Sequence, residues 1–197
     1  MGWGTRLAIV AVAIVAVVFA GVAAAGHVVG IVASWQLTPV TNPVKWVAGS
    51  NAGSSDVGGT TTSVTISPNG TSATISATIT YGENQYIDLI RINVSDAPYN
   101  VYIYLDPTSS ALDPTYIDLA KSEIRIYDPN GDLLASTTLD QVLASQGLWN
   151  VGALSLNGQY RVDLVLTMKD GVPLPTNPLE LDMKLYYSKT SETPLTG

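Results

Sequence analysis

Two stretches near the end of the sequence decide the fold: residues 160–168, YRVDLVLTM, and residues 179–187, LELDMKLYY. Every second residue in each stretch is apolar, and charged residues such as Arg161, Asp163 and Lys184 occupy positions between them. A period of two is typical of a β-strand that buries one face and exposes the other. The sequence therefore predicts two strands here, each with one buried face.

Short strands with turn signals between them are also predicted earlier in the chain. They cover residues 63–67, 71–81, 86–94, 99–105, 123–127, 133–137 and 150–156. The turn residues at 68–70 and 128–131 favour hairpins, and residues 96–98 are expected to join their flanking strands as a pair. A short helix is expected at 139–145, capped by Thr138. This pattern predicts an all-β fold, an antiparallel β-sandwich of jelly-roll or immunoglobulin-like type.

The composition excludes several classes of function. The 197 residues contain no Cys and one His, which excludes disulfides, thiolate chemistry and multi-histidine zinc sites. Acidic residues outnumber basic ones by 16 to 9, and the net charge of −7 argues against a nucleic-acid partner. The single His27 lies beside an apolar segment, and neither a G-x-S-x-G motif nor a phosphate-binding loop is present. We therefore predict that the protein is not an enzyme and needs no cofactor.

Residues 7–25 form an apolar segment, LAIVAVAIVAVVFAGVAAA, preceded by Arg6. A basic start, an apolar core and a small-residue exit at 23–25 predict a secretory signal peptide over residues 1–25. Alternatively, residues 7–33 form one retained apolar helix of roughly 40 Å, long enough to cross a bilayer or to pack in a filament core. Both interpretations place the rest of the chain outside the cell, and membrane contact is limited to export or to the retained helix.

Residues 26–38 show a second, shorter pattern of period two. Val29, Ile31, Ala33 and Trp35 alternate with smaller or polar residues, which predicts a strand with one apolar face. Pro39 and Pro43 end this pattern. The expected organisation is thus an apolar segment at 1–25, a strand at 26–38 and the β-sandwich at 39–197.

Two further groups of residues are candidate sites. The N-x-[ST] sequons place candidate N-glycosylation sites at Asn69 and Asn93, and Asn69 is the better acceptor because it lies in a predicted turn. We predict no metal site within one subunit. Asp106, Asp113 and Asp118 are close in sequence, however, and a hypothesis is that they bind Ca²⁺ together with oxygens from a second subunit.

The order of these parts resembles a known family. A leader precedes a short apolar strand ending in Ala33-Ser34-Trp35, and a sandwich follows with the late strands Tyr160-Arg-Val-Asp-Leu-Val-Leu and Leu181-Asp-Met-Lys-Leu-Tyr-Tyr. This layout is similar to the TasA/camelysin-like fibre proteins, and especially to archaeal bundling pilins and cannula subunits. The resemblance implies donor-strand complementation, in which the N-terminal strand of one subunit completes a sheet of the next.

On this basis we expect a structural pilin of an extracellular filament at the cell surface, with a role in adhesion or biofilm. Its partners are copies of itself in a helical homopolymer, with lateral bundling of neighbouring filaments as a further expectation. Only 13% of the residues are charged, which suits subunits that pack against each other. The alternative is a type IV pilin-like, archaellin-like or membrane-anchored surface β-domain that keeps its N-terminal helix.

Overall fold

A computed structural model describes residues 41–55 and 60–189, which form two five-stranded antiparallel sheets packed face to face. The strands in chain order are β1 (Val44–Ala48), β2 (Ser63–Ile66), β3 (Ser72–Ala77), β4 (Glu83–Val94), β5 (Tyr99–Leu105), β6 (Glu123–Tyr127), β7 (Leu133–Thr138), β8 (Leu148–Leu154), β9 (Gly158–Thr167) and β10 (Leu179–Ser188). A 3₁₀ turn, Ser110–Leu112, follows β5, and a short helix, α1 (Leu139–Ala144), separates β7 from β8.

The two sheets have the strand orders β1-β4-β9-β6-β7 (sheet I) and β2-β3-β10-β5-β8 (sheet II). The longest ladder joins β4 to β9, with Ile92 opposite Tyr160 and Ile90 opposite Val162. In sheet II, β10 lies between β3 and β5. The two late strands that decide the fold therefore lie inside opposite sheets, which explains why their period-two pattern is so regular.

The core lies between the two sheets and consists of the apolar side chains that their strands direct inward. Its largest fully buried side chains are Trp46, Tyr160, Ile90, Ile92, Ile103, Leu105, Leu112, Ile117, Ile124, Ile126, Leu139 and Leu154. Each such side chain contributes about 1.5–3 kcal/mol when it leaves water. The core thus draws on both sheets, on α1 and on the β5–β6 connection.

The predicted all-β sandwich is confirmed, and so are the hairpins at 68–70 and 128–131 and the short helix after Thr138. The strand at 44–48 was missed by the patterning, because five residues after a proline are too few to show a period. The predicted pairing across 96–98 is wrong: β4 lies in sheet I and β5 in sheet II. Turn residues show that the chain reverses, but they do not show which strand it joins.

Two local predictions also differ from the structure. The strand expected at 71–81 ends at Ala77, because its partners β10 and β2 pair with it only as far as Ala77 and Ser76. Beyond that point the Thr80 N–H donates to the Asn84 side chain (2.8 Å), which in turn donates to the Thr80 carbonyl (2.9 Å). Thr138 precedes α1 but makes no capping bond to the helix backbone; its hydroxyl donates instead to the Asp140 carboxylate.

Candidate assembly site at the sheet edges

The described sandwich has four edge strands, β1 and β7 in sheet I and β2 and β8 in sheet II. An edge strand presents backbone N–H and C=O groups that can pair with another chain, and proteins usually cover or distort such edges. The expected strand donation needs one edge that is neither covered nor distorted. The four edges differ in this respect.

The margin formed by β1 and β2 is partly covered by the chain's own backbone. The Trp46 N–H of β1 donates to the Gly70 carbonyl in the β2–β3 turn (2.8 Å). Just before β2, the Thr62 N–H donates to the Ser54 carbonyl (3.1 Å), and the Gly53 N–H donates to the Thr62 carbonyl (3.0 Å). On this margin β1 therefore has one outward N–H already paired, and the residue just before β2 is paired through both of its backbone groups.

The edge at β8 is distorted by a β-bulge. Its register against β5 shifts between Val101 and Tyr102, and Gly152 adopts a φ of +97°. The Asn150 side chain accepts a hydrogen bond from the Gly152 N–H (3.0 Å). A bulge with a side chain on its backbone donor is a common way to protect an edge from pairing.

The edge at β7, Leu133–Thr138, is the least protected. Its sequence LLASTT contains no charged residue or proline, and none of its residues is fully buried. Leu133 and Leu134 are 56% and 44% exposed, which is unusual for two consecutive leucines. A bulge affects the start of the strand, but its register against β6 is regular from Ala135 to Thr138. Its outer side has no strand partner among the described residues.

One hydrogen bond just after β7 shows which of its backbone groups face β6 and which face outward. The Leu139 N–H donates to the Ser122 carbonyl (2.9 Å), and hydrogen-bonded pairs alternate along an antiparallel ladder. Ala135 and Thr137 therefore direct their backbone groups to β6, whereas Ser136 directs its N–H and C=O outward. This places a regular set of backbone donors and acceptors on the outer side of β7.

The predicted donor residues Val29, Ile31, Ala33 and Trp35 lie outside the described residues, so strand donation stays a prediction. The described chain starts at residue 41, six residues after Trp35 in the sequence. The Asn42 side chain donates to the Asn69 carbonyl (2.8 Å) and accepts a hydrogen bond from the Tyr187 hydroxyl (3.2 Å). The chain therefore enters the sandwich on the margin formed by β1 and β2.

The predicted sequons have different environments. Asn69 is exposed in the β2–β3 turn, where its Oδ1 accepts hydrogen bonds from the Thr71 N–H (3.2 Å) and hydroxyl (2.8 Å). Its Nδ2 points to no acceptor within the described part of the chain. Asn93 is half-buried in β4, paired with Lys45 on one side and Gln159 on the other. Of the two, Asn69 is the accessible amide.

The three aspartates of the Ca²⁺ hypothesis lie along the β5–β6 connection, and each is bound to a nearby residue. The contacts are Asp106 with the Thr108 N–H (2.9 Å), Asp113 with the Thr115 N–H (2.8 Å) and Asp118 with the Lys121 ammonium (3.0 Å). These contacts lower the pKa of all three carboxyl groups. Residues 41–55 and 60–189 hold no group of three metal-ligating side chains, so the sandwich alone does not assemble this site.

A charged cluster on the outer face of sheet I was missed by the sequence analysis. Asp88 is 6% exposed with a φ of +56°, and the Arg91 guanidinium donates to its carboxylate from Nε (2.6 Å) and Nη2 (2.5 Å). The Asp88 N–H donates to Asp163 (2.9 Å), and Arg161 lies within ion-pair distance of Asp163 (3.1 Å). These contacts fix the irregular part of the β4–β9 ladder. The Asp-x-x-Arg spacing at 88–91 is the one sequence signal for it.

No family model matches the chain, and no curated protein matches it either. Within the described ranges, no helix has the length and apolar character needed to span a membrane. The open edge at β7 and the geometry of the sandwich are therefore the observations on which a function can be argued.

The Asp88 cluster predicts how stability depends on pH. The hydrogen bonds from Arg91, with smaller contributions from Ser50, lower the pKa of Asp88 from 3.8 to about 2. A lowered pKa stabilises the fold above about pH 4, and this contribution, about 2 kcal/mol, is lost as the pH falls from 4 to 2. We expect the free energy of unfolding of the wild type to exceed that of Asp88→Asn at pH 6, and the difference to shrink by this amount at pH 2.

Denaturant unfolding at both pH values measures the difference. Asn is a suitable replacement for Asp88 because it tolerates a positive φ and keeps the shape of the side chain while removing its charge. A difference that stays constant between pH 6 and pH 2 would show that the Asp88 carboxylate does not stabilise the fold.

Proposed function

We propose that this protein is a structural subunit, a pilin, of an extracellular filament at the cell surface, with a role in adhesion or biofilm. Each subunit donates its N-terminal strand, residues 26–38, to a sheet edge of the next subunit. The observation that carries the proposal is the open, uncharged edge at β7, with two exposed leucines, in a sandwich whose β1 edge is partly paired and whose β8 edge is bulged. The chain also supplies an uncharged segment of period two, just before the sandwich begins.

The physical basis is strand addition to a sheet. Backbone hydrogen bonds give affinity, and alternate side chains that enter the core fix the register. The donor and the acceptor are different surfaces, so each subunit leaves one of each unfilled and the contact repeats into an open filament. A low content of charged residues supports both this head-to-tail contact and lateral bundling of filaments, because few charges must leave water.

Removal of residues 1–25 as a signal peptide would place the donor strand at the new N-terminus. We expect the intact mass of the secreted protein to correspond to a chain that starts at Gly26. Mass spectrometry of the material isolated from the cell surface measures this directly. A mass that includes residues 7–22 would instead support the alternative, a membrane-anchored or type IV pilin-like β-domain with a retained helix.

Strand donation predicts that a charge introduced on one face of the donor strand impairs assembly far more than a charge on the other face. Ile31→Asp puts a charge on the face that enters the neighbouring core, whereas the matched control Ser34→Asp puts it on the outer face. Burial of an unpaired charge costs several kcal/mol, so we expect Ile31→Asp to raise the critical concentration for assembly by roughly a hundredfold or more. Sedimentation and electron microscopy report filament formation, and circular dichroism reports the fold.

Deletion of residues 26–34 is the stronger form of this test, since it leaves no donor strand. Filaments that still form from the deleted chain, or equal assembly by the Ile31→Asp and Ser34→Asp variants, would refute strand donation. Loss of assembly with an unchanged β-rich spectrum would support it.

Export also makes the exposed sequon available to glycosylation. We expect Asn69 to carry a glycan when the protein is secreted by a eukaryotic host, and Asn93 to stay unmodified because it is half-buried between two strands. Peptide mapping after enzymatic deglycosylation in ¹⁸O water marks each occupied asparagine. Secreted protein with an unmodified Asn69, or with a glycan at Asn93 alone, would contradict the prediction.

A further inference from the structure

We infer that the acceptor edge is β7, and that its occupant is residues 26–38 of a second copy of this chain. This inference rests on the proposed function, since it assumes that a strand is donated. It adds the place where the strand binds, the copy from which it comes and the backbone groups that hold it.

The choice of β7 follows from what already occupies the other edges. β1 has the outward N–H of Trp46 paired with the β2–β3 turn, the four-residue β2 is preceded by a segment paired with residues 53–55, and β8 is bulged. β7 alone among the described edges combines a regular outer backbone with an uncharged sequence and two exposed leucines. Adding a strand there would pair the outward groups of Ser136 and cover part of the exposed apolar surface.

The inner face of β7 has room for larger side chains beside it. Its inward residues are small, with Ala135 opposite the fully buried Ile126 and Thr137 opposite Ile124. A strand added along this edge would bring its own inward residues next to Ala135 and Thr137. Val29 and Ile31 are larger than these residues, and β-branched side chains pack well on such a surface.

Chain length favours a second copy over the same copy. Asn42 is held on the margin formed by β1 and β2, and β7 is four strand spacings from β1, about 19 Å away along sheet I. The donor strand ends at residue 38, and the chain from there to Asn42 spans at most about 14 Å when fully extended. This linker is too short to let the donor pair along the β7 of the same copy, whereas a neighbouring copy imposes no such limit.

The absence of cysteine in the sequence makes the contact measurable. We combine Val32→Cys, on the outer face of the donor, with one exposed cysteine on an edge strand. The edge positions are Ser136→Cys on β7 and, as matched controls, Lys45→Cys on β1, Thr65→Cys on β2 and Asn150→Cys on β8. Each double variant is assembled and then treated with a short bismaleimide.

We expect a ladder of covalent multimers on denaturing gels for the β7 pair, with at least tenfold less multimer for each control pair. A ladder with another edge and none with β7 would overturn this inference and leave strand donation intact. A cross-linked monomer without a ladder would show pairing within one copy and overturn the choice of occupant. Wild-type protein that forms no filaments would overturn the proposed function itself, and filaments that give no cross-link at any edge would refute strand donation and this inference with it.

A second pair of variants tests the outward backbone of β7. Ser136→Pro removes an N–H that points away from β6, so it spares the ladder inside the subunit; Ser136→Ala is the control. We expect Ser136→Pro to keep the melting temperature of the unassembled subunit within a few degrees and to raise the critical concentration at least tenfold. Equal assembly by the two variants would show that β7 is not the acceptor.

Discussion

The need to satisfy backbone hydrogen bonds at the margins of the sheets is the constraint on which the rest of this structure depends. Inside each sheet, antiparallel neighbours meet this need, and the core packs against the resulting surfaces. At the margins the chain uses different means: a turn at Gly70, a short paired segment before β2 and a bulge at β8. From Ala135 to Thr138, β7 is neither paired on its outer side nor bulged. This makes β7 the edge at which a function can be sought.

The sequence predicted the parts of the fold that depend on local period and turn chemistry. Residues 160–168 and 179–187 alternate so regularly because β9 and β10 each lie between two other strands and bury one complete face. β1 and the sheet assignment of β4 and β5 were not predictable in this way. Both depend on which distant strand is the neighbour, and no local pattern records that.

The candidate site shows the same division. The uncharged character of β7 is visible in the sequence LLASTT, but its position at an edge follows only from the strand order. The Asp88 cluster was missed for a related reason, since Asp163 reaches it from a strand 75 residues further along the chain. Asn69 was correctly placed in a turn because Pro, Asn and Gly determine that turn locally.

The anchoring of Asn42 has a mechanical consequence. Tension that reaches the sandwich through residue 41 meets Asn42 first, which is bonded to the β2–β3 turn and to Tyr187 of β10, both in sheet II. The next residue, Pro43, accepts a hydrogen bond from the Ser95 N–H at the end of β4 in sheet I (2.8 Å). A pulling force that enters there is thus divided between the two sheets before it reaches the β1–β4 ladder.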